Sequence, residues 1–410
     1  MSISQNFPDE GPTLNLNFAG SKVLDPRITF SRSSVGTYMD ANGLVATASA
    51  DSPRFDHRYV NGEVESLGLL VEEQRVNLVN DSNGGDYGYA MSSGPSPTND
   101  IAPDGSIVAC KYDLSSINTG SPFLNVGADT TLTDGVTYTM SMWVKGTTEF
   151  TVALAFVGET NNTVPNRNMN VTTSWTRETF TFTLSGNQSY SRLQVFFGTQ
   201  GQGKIISIWG AQLEEGGFAT SYIPRSAGSQ ATRTEDRAVI EGTNFTDIFD
   251  TSFESFSMFV NYDNLGITTG TNHAVVIFWG ESVGYNDRIE FYKDNDDPYH
   301  IETRAFGGGS GVFANGNLSA GSTAATQKLA MSWSVPDYSD QPSRRWAFSF
   351  NGESVDVVND GSGSTIPAVT RVGFGINPTR TDFHGKRITF KQITLYSNAL
   401  TDSQLQNLTK

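Results

Sequence analysis

The sequence predicts an all-β protein with two antiparallel β-sandwiches behind an N-terminal β-rich segment. Three observations support this fold class. Apolar and polar residues alternate with a period of two along many short stretches, as in strands with one buried face. Clusters of Gly, Asn, Ser and Pro separate these stretches, which is typical of turns. No long helical pattern lies between them, and this favours sheets packed on sheets.

Length and composition favour several domains with water-exposed surfaces. The chain has 410 residues, 37% of them hydrophobic, and a mean hydropathy of −0.32. Its formal net charge of −16 opposes binding to nucleic acid or to an anionic bilayer. No stretch approaches the roughly 18 continuous apolar residues of a membrane span, so we expect no membrane insertion.

Cysteine usage and the first residues bear on where the chain folds. Cys110 is the only cysteine, which excludes an intrachain disulfide. Residues 1–10 show no secretory signal. We therefore expect synthesis and folding in a reducing cytoplasm.

Residues 1–82 are predicted to form an arm followed by short strands. Apolar and polar residues alternate over 14–18, which predicts a strand, and the arm before it is either a frayed terminus or an element that docks on another protein. Asn42-Gly43 predicts a tight hairpin turn. The apolar run over 67–71, followed by charges that can pair locally, predicts a strand leaving a shared core. Since this segment is too small and too weakly apolar to bury its own core, we expect it to pack on a later domain.

Residues 83–225 are predicted to form the first sandwich, after a loop rich in Gly, Ser, Pro and Asn. Its predicted strands have period-two patterns and cover 137–144, 150–156, 179–184, 192–197 and 205–209. Trp143 and Trp209 lie on these strands, where core packing is expected. The run 198–204 nearly matches a phosphate-binding loop, but Ile205 stands where Mg²⁺ needs a hydroxyl group, so we interpret it as a Gly-rich hairpin.

Residues 226–410 are predicted to form the second sandwich. Its predicted strands are 256–262, 274–279, 288–292, 328–333, 345–350, 371–374 and 386–396. Trp333 is expected in its core. Asn351-Gly352 predicts a hairpin turn, and Thr401 with Gln404 predicts a capping box for a short C-terminal helix over 400–408.

Several motifs resemble those of tailed-phage virion proteins. Residues 25–34, 38–43, 53–56 and 67–78 have the sequences DPRITFSRSS, YMDANG, PRFD and LGLLVEEQRVNL. Together they are similar to an N-terminal module that precedes jelly-roll or lectin-like domains in such proteins. The linker has a second matching form, TSYIP at 220–224 and TR-x-x-D at 232–236.

The two predicted sandwiches resemble different families. The first resembles carbohydrate-binding jelly rolls, and the residues that fit their pattern are Tyr138, Ser141, Trp143, Lys145, Trp175, Phe180 and 209–214. The second resembles concanavalin-A-like or laminin-G-like sandwiches through 255–262, 329–333, 348–352 and 390–401. These resemblances are at the level of the fold and do not identify a ligand.

These resemblances imply a phage virion structural protein of the tail-fibre or capsid-fibre type. Its expected location is the virion, its expected state a homotrimer, and its expected partners are other virion proteins, through the N-terminal segment, and host surface polysaccharide. We expect no catalysis. Two alternatives remain, namely a purely architectural decoration, adaptor or baseplate protein, and a glycan depolymerase.

The sequence lacks the motifs of the common hydrolases. It contains no E-x-D triplet of the kind that retaining glucanases of the concanavalin-A-like fold carry, although an acid pair from distant strands remains open. It has no G-x-S-x-G elbow, and no histidine is next to Cys110 in the sequence. The four histidines, His57, His273, His300 and His384, lack the spacing of zinc ligands.

Loop aromatics beside polar groups are the candidate glycan-binding residues. Sugar rings stack on aromatic faces while polar side chains hydrogen-bond the hydroxyl groups. The candidates are Tyr87, Tyr89, Tyr285, Asn286, Asp287, Tyr292, Asp297, Tyr299 and His300. We expect no cofactor and no metal. Asp294 and Asp296 could bind calcium, but Pro298 follows them, and this favours a solvated acidic turn instead.

Overall fold

The computed structural model describes most of the chain. The described residues are 11–60, 63–79, 82, 89–91, 96–117, 123–128, 132–158, 167–185, 191–197, 199–225, 231–249, 255–264, 273–280, 287–293, 301–307, 310–314, 326–334, 344–360, 368–375 and 387–410. They form an all-β protein of antiparallel sheets, which confirms the predicted fold class. No helix within these ranges is long and apolar enough to cross a membrane.

The N-terminal segment forms short strands and one helical turn. Its elements are β1 (Leu14–Leu16), α1 (Phe18–Ser21), β2 (Thr29–Ser31), β3 (Gly36–Met39), β4 (Val45–Ala48), β5 (Arg54–Val60), β6 (Glu63–Glu72) and β7 (Arg75–Asn77). The strand predicted over 14–18 ends early, because the Asn17 side chain accepts a hydrogen bond from the Gly20 backbone and caps the helical turn. The predicted turn at Asn42-Gly43 joins the paired strands β3 and β4, and Gly43 has a φ of 75°.

The first sandwich consists of two five-stranded antiparallel sheets. Its strands are β8 (Tyr89–Met91), β9 (Thr98–Asp100), β10 (Ala109–Asp113), β11 (Phe123–Ala128), β12 (Thr137–Gly146), β13 (Phe150–Gly158), β14 (Arg167–Val171), β15 (Thr176–Thr183), β16 (Ser191–Phe196) and β17 (Ile205–Glu215). One sheet has the order β15-β12-β17-β10-β9 and the other β14-β13-β16-β11-β8. Met140, Val152 and Ile208 are among the buried residues between them.

The prediction of a Gly-rich hairpin before Ile205 is wrong. The flanking strands β16 and β17 lie in different sheets, so this run crosses from one sheet to the other. Its backbone is held at both sides of the sandwich, with Gly201 N donating to Phe197 O (2.7 Å) and Gly203 N donating to Leu114 O (3.0 Å). Turn composition predicts a reversal of the chain but does not tell which strands pair afterwards.

The second sandwich follows the linker. Its elements are β18 (Ala231–Arg233), β19 (Arg237–Glu241), α2 (Thr243–Thr246), β20 (Ser255–Asn264), β21 (His273–Trp279), β22 (Arg288–Lys293), β23 (Ile301–Gly307), β24 (Ser310–Ala314), β25 (Thr326–Ser334), β26 (Arg344–Phe350), β27 (Asp356–Asp360), β28 (Arg371–Phe374), β29 (Arg387–Tyr396) and α3 (Asp402–Thr409). The predicted hairpin at Asn351-Gly352 joins β26 to β27, and the Thr401–Gln404 capping box begins α3.

Strands from the N-terminal segment complete both sheets of the second sandwich. One sheet has the order β27-β26-β25-β20-β29-β6-β5, with β1 also paired to β29. The facing sheet has the order β2-β19-β28-β21-β22-β23-β24. Leu16, Phe18, Leu69 and Val71 are buried in the shared core. The segment therefore packs on a later domain, as its weak hydrophobicity predicts, and the first sandwich is inserted between β7 and β18. The boundaries at residues 82 and 225 stay predictions.

The N-terminal segment also covers the outer face of the first sandwich. The ring centroids of Trp143 on β12 and Trp209 on β17 lie 5.2 Å apart. Both rings pack with Tyr222 of the linker and Val45 of β4. Strand β12 is therefore buried on both faces, although its alternating pattern is typical of a strand with one wet face. The predicted core role of Trp143, Trp209 and Trp333 is confirmed, since they are 5%, 1% and 1% exposed.

Candidate functional site

Motifs that are far apart in the sequence meet in one buried cluster of charges. This junction network is formed by Arg32, Arg54, Glu72, Arg233 and Asp236. Asp236 pairs with Arg32 (Nη1 to Oδ1, 2.9 Å) and with Arg54. Glu72 pairs with Arg54 (Nη1 to Oε2, 2.8 Å) and with Arg233 (Nε to Oε2, 3.5 Å). None of these side chains is more than 1% exposed, so the network ties the N-terminal segment to the linker inside the protein.

Backbone groups complete the coordination of the two carboxylates. Glu72 accepts hydrogen bonds from Ser221 N (2.7 Å) and Ser221 Oγ (2.6 Å). Asp236 accepts one from Glu72 N (2.9 Å), and its own N donates to Glu72 O (2.9 Å). Arg387 of β29 adds a contact to Glu72 (Nε to Oε1, 3.4 Å). Because buried carboxylates are stable only when paired and hydrogen-bonded, these contacts explain why charged residues can occupy a core position.

The charge on Glu72 makes stability depend on pH. Burial alone raises the pKa of Glu72, but Arg233, Arg54 and Arg387 outweigh it and hold the pKa well below its usual range. The unfolded chain then takes up a proton on this group more readily than the folded protein. Stability from Glu72 is therefore present above the usual pKa of about 4.3 and is lost as the pH falls.

We expect Glu72→Gln to flatten the acid limb of the stability profile. The variant is less stable than the wild type at neutral pH, but its free energy of unfolding falls less steeply between about pH 5 and 3, since the charge is already absent. Urea titrations at several pH values measure this. Glu353→Gln, at an exposed position, should keep the wild-type slope. Parallel profiles for wild type and Glu72→Gln would contradict the assignment.

A pocket opens beside the junction network, between the N-terminal segment, the first sandwich and β29. This junction pocket has a volume of about 150 Å³. Its lining residues are Thr37, Tyr38, Met39, Val45, Asp56, His57, Trp143, Arg177, Ser221, Tyr222 and Arg387. It therefore combines an aromatic wall with guanidinium, carboxyl and hydroxyl groups.

A second candidate surface is the outer face of the sheet β14-β13-β16-β11-β8. Leu124, Val152 and Val195 point into the core and are at most 1% exposed, so their strand neighbours point outward. The outward residues form what we call the amide face, namely Phe123, Asn125, Thr151, Ala153, Asn168, Asn170, Gln194 and Phe196.

The amide face combines aromatic rings with neutral hydrogen-bonding groups. Phe123 and Phe196 lie opposite each other on paired strands, and their ring centroids are 5.6 Å apart. Both side chains are only partly buried. Beside them, Gln194 Nε2 donates to Asn125 Oδ1 (2.9 Å). This hydrogen bond fixes the two amides while each keeps further donor or acceptor capacity. Rings and amides in this arrangement can contact the apolar and hydroxyl-bearing sides of a sugar.

The structure does not assemble the glycan-binding residues predicted from loops. Tyr87, Tyr285, Asn286, Asp297, Tyr299 and His300, and the calcium candidates Asp294 and Asp296, lie outside the described residues. Tyr89 and Tyr292 lie on β8 and β22, and the description covers their backbone only. Asp287 is described: its Oδ1 accepts from Ala368 N (3.3 Å) and its backbone O accepts from Gly280 N (2.9 Å), which fixes a strand end. The loop site stays a prediction.

Within the described part of the chain, no group of three or more His, Cys, Asp or Glu side chains could hold a metal ion. The amide face differs from the predicted site because its aromatic residues, Phe123 and Phe196, lie on strands, whereas the predicted binding aromatics are expected in loops. A usable signal was present, since Phe123-Leu124-Asn125 alternates around a core residue. No comparable sequence pattern marks Arg177 of the junction pocket.

Comparison with known proteins supports a carbohydrate-binding domain within the first sandwich. Residues 114–203 match the family model described as "Carbohydrate binding domain", and this range contains β11 to β16. No curated protein matches the chain.

Solved structures match parts of the chain at low identity. The CBM40 of Ruminococcus gnavus IT-sialidase, bound to α2,3-sialyllactose, is 13% identical, with 38% of this chain and 82% of that chain covered and a TM-score of 0.30. A CBM4 structure is 20% identical, covering 32% and 96%, with a TM-score of 0.25. A Trypanosoma rangeli sialidase is 12% identical, and the match covers 42% of this chain but only 26% of the sialidase, with a TM-score of 0.31.

Proposed function

We propose that this protein is a non-catalytic, glycan-binding component of a tailed-phage virion, of the fibre type. One observation carries the binding part: the range that matches a carbohydrate-binding domain contains most of the strands that form the amide face. The virion part is supported by the N-terminal and linker motifs, whose charged residues build the junction network. In the particle we expect a homotrimer that contacts other virion proteins through its N-terminal segment.

The amide face suits neutral sugars in particular. Its described side chains carry no formal charge, so a sugar can displace water from them without the large cost of stripping a charged group. Gln194 is only 7% exposed and is already oriented by Asn125, so little side-chain entropy is lost on binding. Phe123 and Phe196 offer partly exposed rings next to these amides.

A glycan array of bacterial surface polysaccharides, followed by calorimetry with the best oligosaccharide, tests the proposal. We expect Phe196→Ala to weaken binding by about two- to twelvefold, because an aromatic contact contributes about 0.5–1.5 kcal/mol. Tyr59→Ala is the matched control, since Tyr59 is 70% exposed on the second sandwich and should leave the affinity unchanged.

Other outcomes separate the alternatives. If the protein is found on purified particles but binds no glycan on the array, a purely architectural role is favoured. Release of reducing ends from a polysaccharide contradicts the non-catalytic proposal. Absence of the protein from purified particles contradicts the virion proposal.

A further inference from the structure

The junction pocket differs chemically from the amide face, because it is lined by two guanidinium groups, Arg177 and Arg387. We propose that this pocket binds an acidic monosaccharide, with the sugar carboxylate between the two arginines and the ring against Tyr38. This second site does not depend on whether the amide face binds glycan.

Arg177 is held in place by neutral groups. Its Nη1 donates to Thr220 O (2.7 Å), its Nη2 donates to Ser141 Oγ (2.9 Å), and its guanidinium lies 4.4 Å from the centre of the Trp143 ring. Among the described residues no carboxylate forms an ion pair with Arg177; the charges of Glu214, Glu72 and Asp56 act on it only from longer range. Its Nε has no hydrogen-bond partner among the described residues. A positioned cation without a paired carboxylate is what an anionic ligand requires.

Arg387 contacts two carboxylates, Asp56 and Glu72, but both contacts are long. Its Nη2 lies 3.5 Å from Asp56 Oδ2 and its Nε lies 3.4 Å from Glu72 Oε1, while Nη1 donates to Ala219 O (3.2 Å). Glu72 is already paired with Arg54 at 2.8 Å. The charge of Arg387 is therefore only partly compensated within the protein.

The two arginines also repel each other. Burial, and after it the charge of Arg387, lowers the pKa of Arg177 to about 10. An anion placed between the two guanidinium groups would remove this repulsion, and arginine is well suited to grip a carboxylate through two parallel hydrogen bonds.

The remaining lining residues suit a sugar ring. Tyr38 is half-buried and offers part of its ring, while Asp56 can accept hydrogen bonds from hydroxyl groups. The volume of 150 Å³ is about ten times the minimum needed for one water molecule, which is enough for one sugar ring but not for an oligosaccharide. The pocket is therefore expected to select a single acidic residue or a chain end.

Binding of D-glucuronate, D-glucose and acetate to the full-length protein tests the proposal. We expect D-glucuronate to bind at least tenfold more tightly than D-glucose, which lacks the carboxylate, a difference of about 1.4 kcal/mol. We also expect it to bind more tightly than acetate, which lacks the ring. Equal binding of glucuronate and acetate would overturn the sugar part, and equal binding of glucuronate and glucose would overturn the carboxylate part.

Variants locate the site. Arg177→Gln should weaken glucuronate binding at least tenfold, and Tyr38→Ala should weaken glucuronate but not acetate. Arg345→Gln removes an arginine from a surface ion pair with Asp402 and should change nothing. Phe196→Ala on the amide face should also leave glucuronate binding intact, and a loss there would place the ligand on the amide face and overturn the proposal. If Arg177→Gln does not fold, Tyr38→Ala and the three probes still decide.

Discussion

We expect Asp236→Asn to lower the free energy of unfolding by about 3–5 kcal/mol, the loss typical when one partner of a buried ion pair is removed. The substitution keeps the shape of the side chain and removes its charge. Arg32 and Arg54 would then remain at most 1% exposed with no carboxylate at that end of the network. Asp236 also links backbone positions, since it accepts from Glu72 N at 2.9 Å. Urea denaturation of the full chain measures the loss.

The matched control is Asp402→Asn, which removes a carboxylate from a surface ion pair. Asp402 lies 2.6 Å from Arg345, but its side chain is 50% exposed and solvent screens the pair. Even with its place in the first turn of α3, we expect a loss of no more than about 1 kcal/mol. Similar losses for the two variants would show that the junction network contributes no more to stability than an ordinary surface pair.

The positions of the strands could be predicted from the sequence, but their partners could not. The stretch over 67–71 is recognisable as a buried strand from its apolar run. That β6 pairs with β29, about 320 residues later in the chain, follows from no local pattern. The same limit explains the wrong hairpin before Ile205, because composition predicts a turn without predicting which sheet the next strand joins.

Charges show the same contrast between local and distant contacts. In the sequence, Glu72, Glu73 and Arg75 are close enough to pair locally. Arg75 does pair with Glu73 at 2.5 Å, whereas Glu72 turns inward to Arg54 and Arg233. Glu72 is the last residue of β6 and is buried with the residues before it, whereas Glu73 lies just beyond the end of that strand. The pocket beside this network could not be predicted, because it exists only after three distant segments have met.

Replacing Gly68 with alanine is expected to destabilise the protein by about 2–5 kcal/mol, combining a backbone penalty with steric overlap. Gly68 has a φ of 85°, a region that side chains with a Cβ adopt at a cost. A Cβ at this position would overlap the carbonyl oxygen of Phe390 on β29. The register between β5 and β6 shifts beside Gly68, as in a bulge that needs glycine. Thermal and urea denaturation measure the effect.

Gly43→Ala separates the two causes, because it shares the backbone conformation without the crowding. Gly43 has a φ of 75°, and a Cβ there would meet no atom within 4 Å. We therefore expect this control to lose only the backbone penalty of about 1–2 kcal/mol. The additional loss in Gly68→Ala then measures how tightly β6 is pressed against β29. Equal losses in the two variants would mean that β29 can move away from β6, and that the N-terminal segment is joined to the second sandwich less rigidly than the strand pairing indicates.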